Sequence, residues 1–254
     1  MIGDKISKLV IVQCRTGSTR LPEKILKDLG GKNLLSVFME RIKKSKEPDG
    51  IVIATTNLPE DDIIIDLCKK NNWLYFRGST LDLLDRYYQC AKFFHLETIV
   101  RISGDAPLID PSIVDKTIQL FKKSDFEYVN NFNKNRFPIG TEVEVFSFST
   151  LEKVWLNATK HSEREHVTSY IYNNPEKFSI GHLENTTNNS NLHWSVDRIE
   201  DLEFVKEIYK NIKKRPILLD DILKLLKKKP FLLDSNKNID PHEGYKKSLL
   251  NDHE

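Results

Sequence analysis

Residues 9–24 have the sequence LVIVQCRTGSTRLPEK. An apolar, β-branched run ends at Gln13 and is followed by small, flexible and cationic residues, as expected where a buried strand delivers a loop to the edge of a sheet. The small residues allow a ligand to approach the backbone, and the cations could surround several negative charges. The loop residues with these properties are Arg15, Gly17, Ser18, Arg20 and Lys24. The stretch predicts a site for a nucleoside triphosphate, with a solvated basic turn as the alternative.

Two common nucleotide-binding motifs are absent from the sequence. A Walker A loop requires a Gly five residues before its Gly-Lys pair and a Ser or Thr after it. The corresponding positions around Gly31-Lys32 hold Leu26 and Asn33. No G-x-G-x-x-G occurs either, so a dinucleotide fingerprint is excluded.

The composition limits the class of protein. The chain has 254 residues, and its 39 Lys and Arg against 37 Asp and Glu leave a formal charge of +2, which gives no reason to expect nucleic acid or a membrane surface as a partner. Three cysteines without a C-x-x-C predict neither a disulfide framework nor a zinc site. A secretory segment and a long apolar run are both missing, so we expect a cytoplasmic protein. One domain is predicted over 1–230, followed by a polar C-terminal tail over 231–254.

Strands and helices alternate along the first half of the chain. Apolar runs at 9–13, 50–56, 73–76 and 98–103 predict strands, and amphipathic segments at 34–46, 59–70 and 80–94 predict helices. A further helix is expected from Pro111, with Asp110 as its N-cap. This order is typical of an α/β protein with a mostly parallel sheet between helices.

The pattern changes after residue 127. Strands are predicted at 127–130, 142–146, 178–183 and 192–196, which makes the sheet mixed. The predicted helices of this half cover 149–158, 163–173, 200–213 and 219–228. We therefore expect a single-domain, Rossmann-like α/β fold.

Two aspartates directly follow predicted strands. Asp105 comes after the strand at 98–103, and Asp197 comes after the one at 192–196. Because Mg²⁺ takes one or two protein carboxylates and completes its shell with phosphate oxygens and water, the pair predicts a magnesium site beside the triphosphate. Simple capping of the next helix is the alternative for each aspartate.

A cluster of ionisable residues opens the predicted helix at 163–173. Arg164 could hold a carboxylate or phosphate of a second substrate, and His166 could donate a hydrogen bond to it. A charged first turn is the alternative. Glu142 and Glu144 alternate along their predicted strand and are expected on one face of it.

Taken together, the motifs resemble those of the nucleotide-sugar cytidylyltransferases, most closely the spore-coat-polysaccharide type within the acylneuraminate and ketodeoxyoctonate cytidylyltransferase superfamily. They follow the family's order over about 9–205. The matching stretches are 15–24 (RTGSTRLPEK), 76–79 (FRGS), 84–88 (LDRYY), 101–111 (RISGDAPLIDP), 137–146 (FPIGTEVEVF), 163–168 (EREHVT), 195–197 (SVD) and 200–202 (EDL).

This resemblance implies a nucleotide-diphospho-sugar transferase fold of the GT-A-like type, a homodimer, and transfer of CMP from CTP to a 2-keto sugar acid. The implied CTP-binding residues are Arg15, Gly17, Ser18, Arg20, Lys24 and, near the base, Ser103. Asp105 and Asp197 are the implied Mg²⁺ ligands, and Arg15, Lys24 and Asp105 the catalytic group. Glu142, Glu144, Arg164 and His166 are the candidates for the sugar side.

Two departures from the family pattern bear on specificity. Ser103 stands where the sialate and ketodeoxyoctonate enzymes usually have a Gln, and Glu142 stands where relatives have an Asp. Three alternatives stay open: a nucleotidyltransferase acting on a sugar phosphate or other phosphorylated acceptor, a GT-A-type glycosyltransferase and a non-catalytic nucleotide-sugar binding protein. The absence of any D-x-D motif counts against the glycosyltransferase.

Overall fold

A mixed β-sheet lies at the centre of the protein in the computed structural model, which describes residues 7–132, 137–237, 239–240 and 242–253. The strands are β1 (Lys8–Gln13), β2 (Gly50–Thr56), β3 (Leu74–Gly78), β4 (Thr98–Ser103), β5 (Tyr128–Asn130), β6 (Glu144–Ser147) and β7 (Ile180–His182). Over the described residues their order is β3-β2-β1-β4-β6-β5-β7. All neighbours are parallel except β6, which runs antiparallel to both β4 and β5. The predicted single α/β domain with a mostly parallel mixed sheet is confirmed.

Helices cover both faces of this sheet. The α-helices are α1 (Leu34–Ile42), α2 (Asp62–Lys70), α3 (Leu83–Phe93), α4 (Pro111–Lys122), α5 (Phe148–Asn157), α6 (His161–Glu165), α7 (Ser169–Asn173), α8 (Ile199–Asn211), α9 (Leu219–Lys228) and α10 (Glu243–Leu250). Short 3₁₀ helices cover Lys24–Leu26, Pro59–Asp61, Pro175–Lys177, Pro230–Ser235 and Asn251–His253. None of the helices described is long and apolar enough to cross a membrane.

Alternate side chains of β1 enter two separate cores. Val10 and Val12 pack with buried residues of α1, α2, α4, α8 and α9. Leu9 and Ile11 pack on the opposite face with residues of α3, α5 and α7. Since neighbouring side chains of a strand point to opposite faces, the apolar run of β1 is explained by burial on both sides.

The predicted start of α4 is confirmed. The side chain of Asp110 accepts a hydrogen bond of 2.8 Å from the backbone N–H of Ser112, and Pro111 occupies the first turn. Asp110 also accepts a 2.7 Å bond from the backbone N–H of Leu219, at the start of α9. This one carboxylate therefore holds the N-termini of two helices together.

Two predicted elements are wrong. The segment 192–196 is not a strand, because its pairing is confined to an isolated bridge between Ile139 and His193. The helix predicted at 163–173 is broken into α6 and α7, and between them Val167 has a φ of 55°. A β-branched residue rarely adopts that conformation, so the break is imposed by the surrounding packing.

The end of the chain forms helices. Residues Pro230–Ser235 contact α8 and α9, and α10 contacts α6. The domain boundary predicted at residue 230 stays a prediction, and residues 238, 241 and 254 of the predicted tail lie outside the described residues.

Candidate active site

The basic loop after β1 is anchored by the side chain of Asp61. This buried carboxylate accepts hydrogen bonds of 2.7 Å from both the backbone N–H and the hydroxyl of Thr16, and it also accepts one from the hydroxyl of Thr56. Burial acts to raise the pKa of Asp61, but the bonds from Thr56 and Thr16 outweigh it and the pKa is lowered. Asp61 therefore stays ionised and fixes the loop to the end of β2.

The loop folds back on itself around one carbonyl. The backbone oxygen of Thr16 accepts bonds from the N–H groups of Ser18 (2.7 Å) and Glu23 (3.1 Å). This closure leaves Arg15, Gly17 and Arg20 exposed to solvent. It also begins the short helix at Lys24, which turns the lysine toward the sheet.

Lys24 joins the two aspartates predicted as metal ligands. Its Nζ lies 2.6 Å from Oδ2 of Asp105 and 2.7 Å from Oδ1 of Asp197. Arg20 contacts the second oxygen of Asp197 at 3.2 Å. The structure thus brings together four predicted residues that are far apart in the sequence, and we call them the Lys24 cluster.

The charges of this cluster reinforce one another. Although burial acts to lower it, Asp105 and Asp197 raise the pKa of Lys24 above its ordinary value. Burial acts to raise the pKa of Asp197, but Lys24 and Arg20 outweigh it and lower that pKa. Lys24 is therefore protonated and Asp197 ionised at neutral pH.

Backbone bonds place the two aspartates next to each other. The N–H of Val196 donates to the carbonyl of Asp105 at 2.9 Å, and the N–H of Gly104 donates to the carbonyl of Gln13 at 3.0 Å. A Cβ on Gly104 would lie 2.9 Å from that same carbonyl, so the approach requires glycine. The segment 192–196 positions Asp197 by these local contacts without joining the sheet.

Ser103 ends β4 beside the cluster. It is paired in register with Gln13 of β1, so their side chains share one face of the sheet. Both residues are partly exposed at the carboxyl edge. This is the edge where ligands bind in open α/β sheets.

Glu144 is the centre of a second, buried cluster. Only 1% of its side chain is exposed, and it accepts bonds from Arg101, from the hydroxyls of Tyr128 (2.5 Å) and Thr168 (2.5 Å), and from Tyr172. Burial acts to raise its pKa, but Arg101 and the hydroxyl groups lower it. We call these five residues the Glu144 cluster.

Glu142 has a different environment from Glu144. Strand β6 begins at Glu144, so Glu142 lies in the preceding loop, where it accepts a 2.8 Å bond from the N–H of Gly140. Burial raises the pKa of Glu142 to about 7, and the neighbouring charges of Asp105 and Glu144 add to the rise. The predicted placement of both glutamates on one strand is wrong, because only Glu144 belongs to β6.

Arg164 and His166 are engaged by other parts of the chain. Arg164 contacts Asp82, which caps α3, and its Nη1 donates to the carbonyl of Trp155 at 2.9 Å. Nε2 of His166 lies 3.0 Å from the hydroxyl of Ser248 on α10. Their roles toward a second substrate stay predictions.

Sequence reasoning missed Asp61 and Arg101. The sequence predicts Asp61 only as part of a helix, and it predicts Arg101 only as part of a strand and of the matching stretch 101–111. No local pattern identifies the pairing of Asp61 with Thr16 or of Arg101 with Glu144, because these partners lie 45 and 43 residues away. A single clue existed, since a charged residue within the otherwise apolar run 98–103 requires a buried partner.

The sheet order and the basic loop at the carboxyl edge of the sheet fit an α/β nucleotide-binding protein. The family model described as cytidylyltransferase matches residues 9–239. The chain therefore belongs to the cytidylyltransferase family and is a CTP-dependent nucleotidyltransferase.

Individual relatives agree with this assignment. The chain is 34% identical over 217 residues to the spore coat polysaccharide biosynthesis protein SpsF of Bacillus subtilis, covering 82% of this chain and 88% of that protein. It is 30% identical over 143 residues to 3-deoxy-manno-octulosonate cytidylyltransferase 2 of Hydrogenovibrio crunogenus, covering 54% and 56%. The structure of a cytidylyltransferase from Leptospira borgpetersenii superposes with a TM-score of 0.86 at 34% identity, covering 93% of this chain and 99% of that one.

Proposed function

We propose that this enzyme transfers CMP from CTP to a 2-keto sugar acid and releases pyrophosphate, for the synthesis of a surface polysaccharide or glycoconjugate. The observation that carries the proposal is the Lys24 cluster, in which a loop lysine meets two carboxylates at the carboxyl edge of the sheet. The similarity to SpsF and to a 3-deoxy-manno-octulosonate cytidylyltransferase supports the class of acceptor.

The basic loop binds the triphosphate in this proposal. Arg15 and Arg20 are exposed and cationic, and Gly17 and Ser18 present backbone and hydroxyl donors. Lys24 neutralises charge on the leaving pyrophosphate, because nucleotidyl transfer depends on positioning and electrostatic stabilisation rather than on a covalent nucleophile. Ser103, at the end of β4, lies on the side proposed for the base.

The chemistry of the donor set fits Mg²⁺. Asp105 and Asp197 present carboxylate oxygens within hydrogen-bond distance of one cationic nitrogen, so both can reach a common positive charge. We propose that they hold Mg²⁺, which when bound would offset the phosphate charge and favour attack by the acceptor oxygen. Lys24 then moves its contacts from the carboxylates to the phosphates.

The acceptor lies toward the Glu144 cluster in this proposal. Glu142 is influenced by both sites, since the charges of Asp105 and Glu144 add to the rise of its pKa. A sugar bound there has its attacking hydroxyl directed toward the Lys24 cluster. Arg164 on α6 and His166 directly after α6 remain further candidates for the sugar side, although Arg164 pairs with Asp82 and His166 contacts Ser248.

Pyrophosphate release tests the proposal. The wild-type enzyme is assayed with Mg²⁺, each of the four common nucleoside triphosphates, and a panel of 2-keto sugar acids and sugar phosphates. We expect release with CTP and a keto acid, and a loss of tenfold or more in Lys24→Met, about 1.4 kcal/mol of transition-state stabilisation. Lys32→Met, which alters an exposed lysine of the same segment, is the matched control and keeps wild-type kinetics.

The other outcomes distinguish the alternatives. Release only with a sugar phosphate indicates the phosphorylated acceptor and refutes the keto acid. Binding of CTP without release on any acceptor supports a nucleotide-sugar binding protein. Wild-type kinetics in Lys24→Met remove the Lys24 cluster from the active site.

A further inference from the structure

Arg101 is a largely buried guanidinium whose hydrogen-bonding capacity is mostly unused. Its side chain is 18% exposed, and its hydrogen bonding to the described residues consists of the contact from Nη1 to Glu144. Nε is buried and has no partner in the described part of the chain. Because a guanidinium has five N–H donors and buried donors are nearly always satisfied, the free N–H groups indicate a place for an anionic ligand.

The position of Arg101 favours the acceptor rather than the nucleotide. It lies on β4 two residues before Ser103, so both side chains share the face that carries the Glu144 cluster. It is set back from the sheet edge, four residues before Asp105. A carboxylate bound at Arg101 would therefore lie further from the carboxyl end of β4 than Asp105 does.

Gln13 supplies a second unsatisfied group on this face. Its Oε1 is buried and also has no partner among the described residues. In the register of β1 and β4, Gln13 is opposite Ser103 and Arg101 is opposite Ile11, so Gln13 and Arg101 are diagonal neighbours. A guanidinium with unused N–H groups beside an unpaired acceptor matches a ligand that carries both a carboxylate and hydroxyl groups.

Glu144 holds Arg101 in one orientation. The hydroxyls of Tyr128, Thr168 and Tyr172 donate to Oε1 of Glu144 while Arg101 contacts Oε2. Since this carboxylate is also only 1% exposed, it is not available to a sugar. Arg101 also lies over the ring of Tyr87, with 5.8 Å between the guanidinium carbon and the ring centre. A guanidinium fixed in this way loses little entropy when it binds an anion.

The other candidate cation on this side is already paired. Arg164 contacts Asp82 and donates to the carbonyl of Trp155. We propose that Arg101, oriented by Glu144, binds the carboxylate of the acceptor and that Gln13 accepts a hydrogen bond from an acceptor hydroxyl. This inference rests on the proposed function, and it makes Arg101 the residue that selects acids over neutral sugars.

A charge-neutral double variant tests the assignment. Arg101→Met alone leaves Glu144 buried without its cation, so the test uses R101M together with E144Q. The probes are 3-deoxy-manno-octulosonate and its C1 carboxamide, compared by kcat/KM for pyrophosphate release. We expect the wild type to favour the acid by about 100-fold and the double variant to favour it by about threefold or less, with the KM for CTP within about twofold of wild type.

The controls separate recognition from folding. Arg77→Met removes an arginine that pairs with Asp62 on α2, and it keeps the wild-type preference. If circular dichroism shows that the double variant is unfolded, Arg101→Lys replaces it. That variant keeps the charge and loses the planar fork, so we expect its KM for the acid to rise by about tenfold with an unchanged KM for CTP.

Three results count against the proposal in different ways. An undiminished preference for the acid in the folded double variant, or an unchanged KM in Arg101→Lys, overturns the role of Arg101. If the wild type is active on sugar phosphates and inactive on acids, the role of Arg101 is overturned, whereas the proposed transfer of CMP is retained. Absence of pyrophosphate release from CTP with every acceptor refutes the proposed function itself, and this inference with it.

Discussion

The Lys24 cluster and the Glu144 cluster are both ion-pair networks, but they differ in burial and in the freedom of their members. In the Lys24 cluster the side chains of Lys24, Asp105 and Asp197 are 12%, 21% and 25% exposed. In the Glu144 cluster the central carboxylate is 1% exposed and has four donors. The first network can exchange partners with a ligand, whereas the second is fixed.

This difference follows from the cost of moving charge. The two carboxylates of the Lys24 cluster are more exposed than Glu144, so water and an incoming phosphate can compensate for a broken contact. Separation of a fully buried pair leaves an uncompensated charge and destabilises a protein by roughly 3–5 kcal/mol. The Lys24 cluster, which we propose binds the nucleotide, is therefore suited to partner exchange, and the Glu144 cluster, which we propose lies on the acceptor side, is suited to rigid recognition.

Replacement of Asp105, a member of the Lys24 cluster, gives the largest expected effect on activity. Asp105→Asn keeps the shape of the side chain but removes a carboxylate proposed to hold Mg²⁺, so we expect kcat to fall by about 10²–10³. Pyrophosphate release measured across a Mg²⁺ titration checks this. Asp66→Asn, an exposed aspartate of α2, is the matched control and keeps full activity. An unaltered rate and Mg²⁺ dependence in Asp105→Asn contradict the metal assignment.

Replacement of Asp61 tests whether the basic loop, which carries Arg20 and Lys24 of the Lys24 cluster, requires a rigid support. In Asp61→Asn the new amide N–H group opposes one of the donors from Thr16 or Thr56, which we expect to cost about 2 kcal/mol of unfolding free energy. The KM for CTP should rise by about tenfold, because the loop loses its anchor. Urea unfolding and steady-state kinetics measure the two effects.

The neighbouring residue provides the control for Asp61. Asp62 is exposed and contacts Arg77 on the surface, so Asp62→Asn should leave both quantities within error of wild type. A destabilised Asp61→Asn enzyme with an unchanged KM would show that the loop does not depend on this anchor.

The smallest effect is a difference in pH dependence between Glu142 and Glu144. The pKa of Glu142 is raised to about 7 in the folded state, so its ionisation costs stability as the pH rises from about 4.5 through 7. Relative to wild type, Glu142→Gln should therefore gain roughly 1–2 kcal/mol between pH 4 and pH 8, less than the full shift because solvent partly reaches the side chain. Urea unfolding at the two pH values measures it.

Glu144→Gln should show the opposite sign. The pKa of Glu144 is lowered, so its ionisation stabilises the fold above the unfolded pKa, and this contribution is lost as the pH falls. The glutamine variant should therefore lose stability relative to wild type at pH 8 more than at pH 4. The same sign in both variants would contradict the contrast between the two environments.

The parts of the fold that sequence reasoning predicted are those with local signals. The strands ending at Gln13 and Ser103 and the helix cap at Asp110 follow from apolar periodicity and capping chemistry within a few residues. The strand predicted at 192–196 is wrong because the apolar residues of this segment pack into the core without pairing along a strand. The single helix predicted at 163–173 is wrong because Val167 takes a left-handed conformation, which a β-branched residue disfavours.

The candidate site also contains residues whose placement the sequence predicts and residues whose partners it does not predict. The convergence of Lys24 and Asp105 could be predicted, because loops that follow parallel strands meet at one edge of the sheet. Asp197 reaches the same edge although the segment before it is not a strand, because the N–H of Val196 donates to the carbonyl of Asp105. The partner of Arg164 could not, since Asp82 lies 82 residues away on a different helix. The charge of Arg164 is visible in the sequence, but its engagement is not.

The sequence by itself determined the alternation of strands and helices, the basic loop and the family, because period, turn chemistry and motif are properties of neighbouring residues. Only the tertiary structure decided which charges are already paired and which are free. Asp61 with Thr16, and Arg101 with Glu144, are contacts between residues 45 and 43 positions apart. Burial and distance determine how strongly such groups interact, and both quantities exist only after the chain has folded.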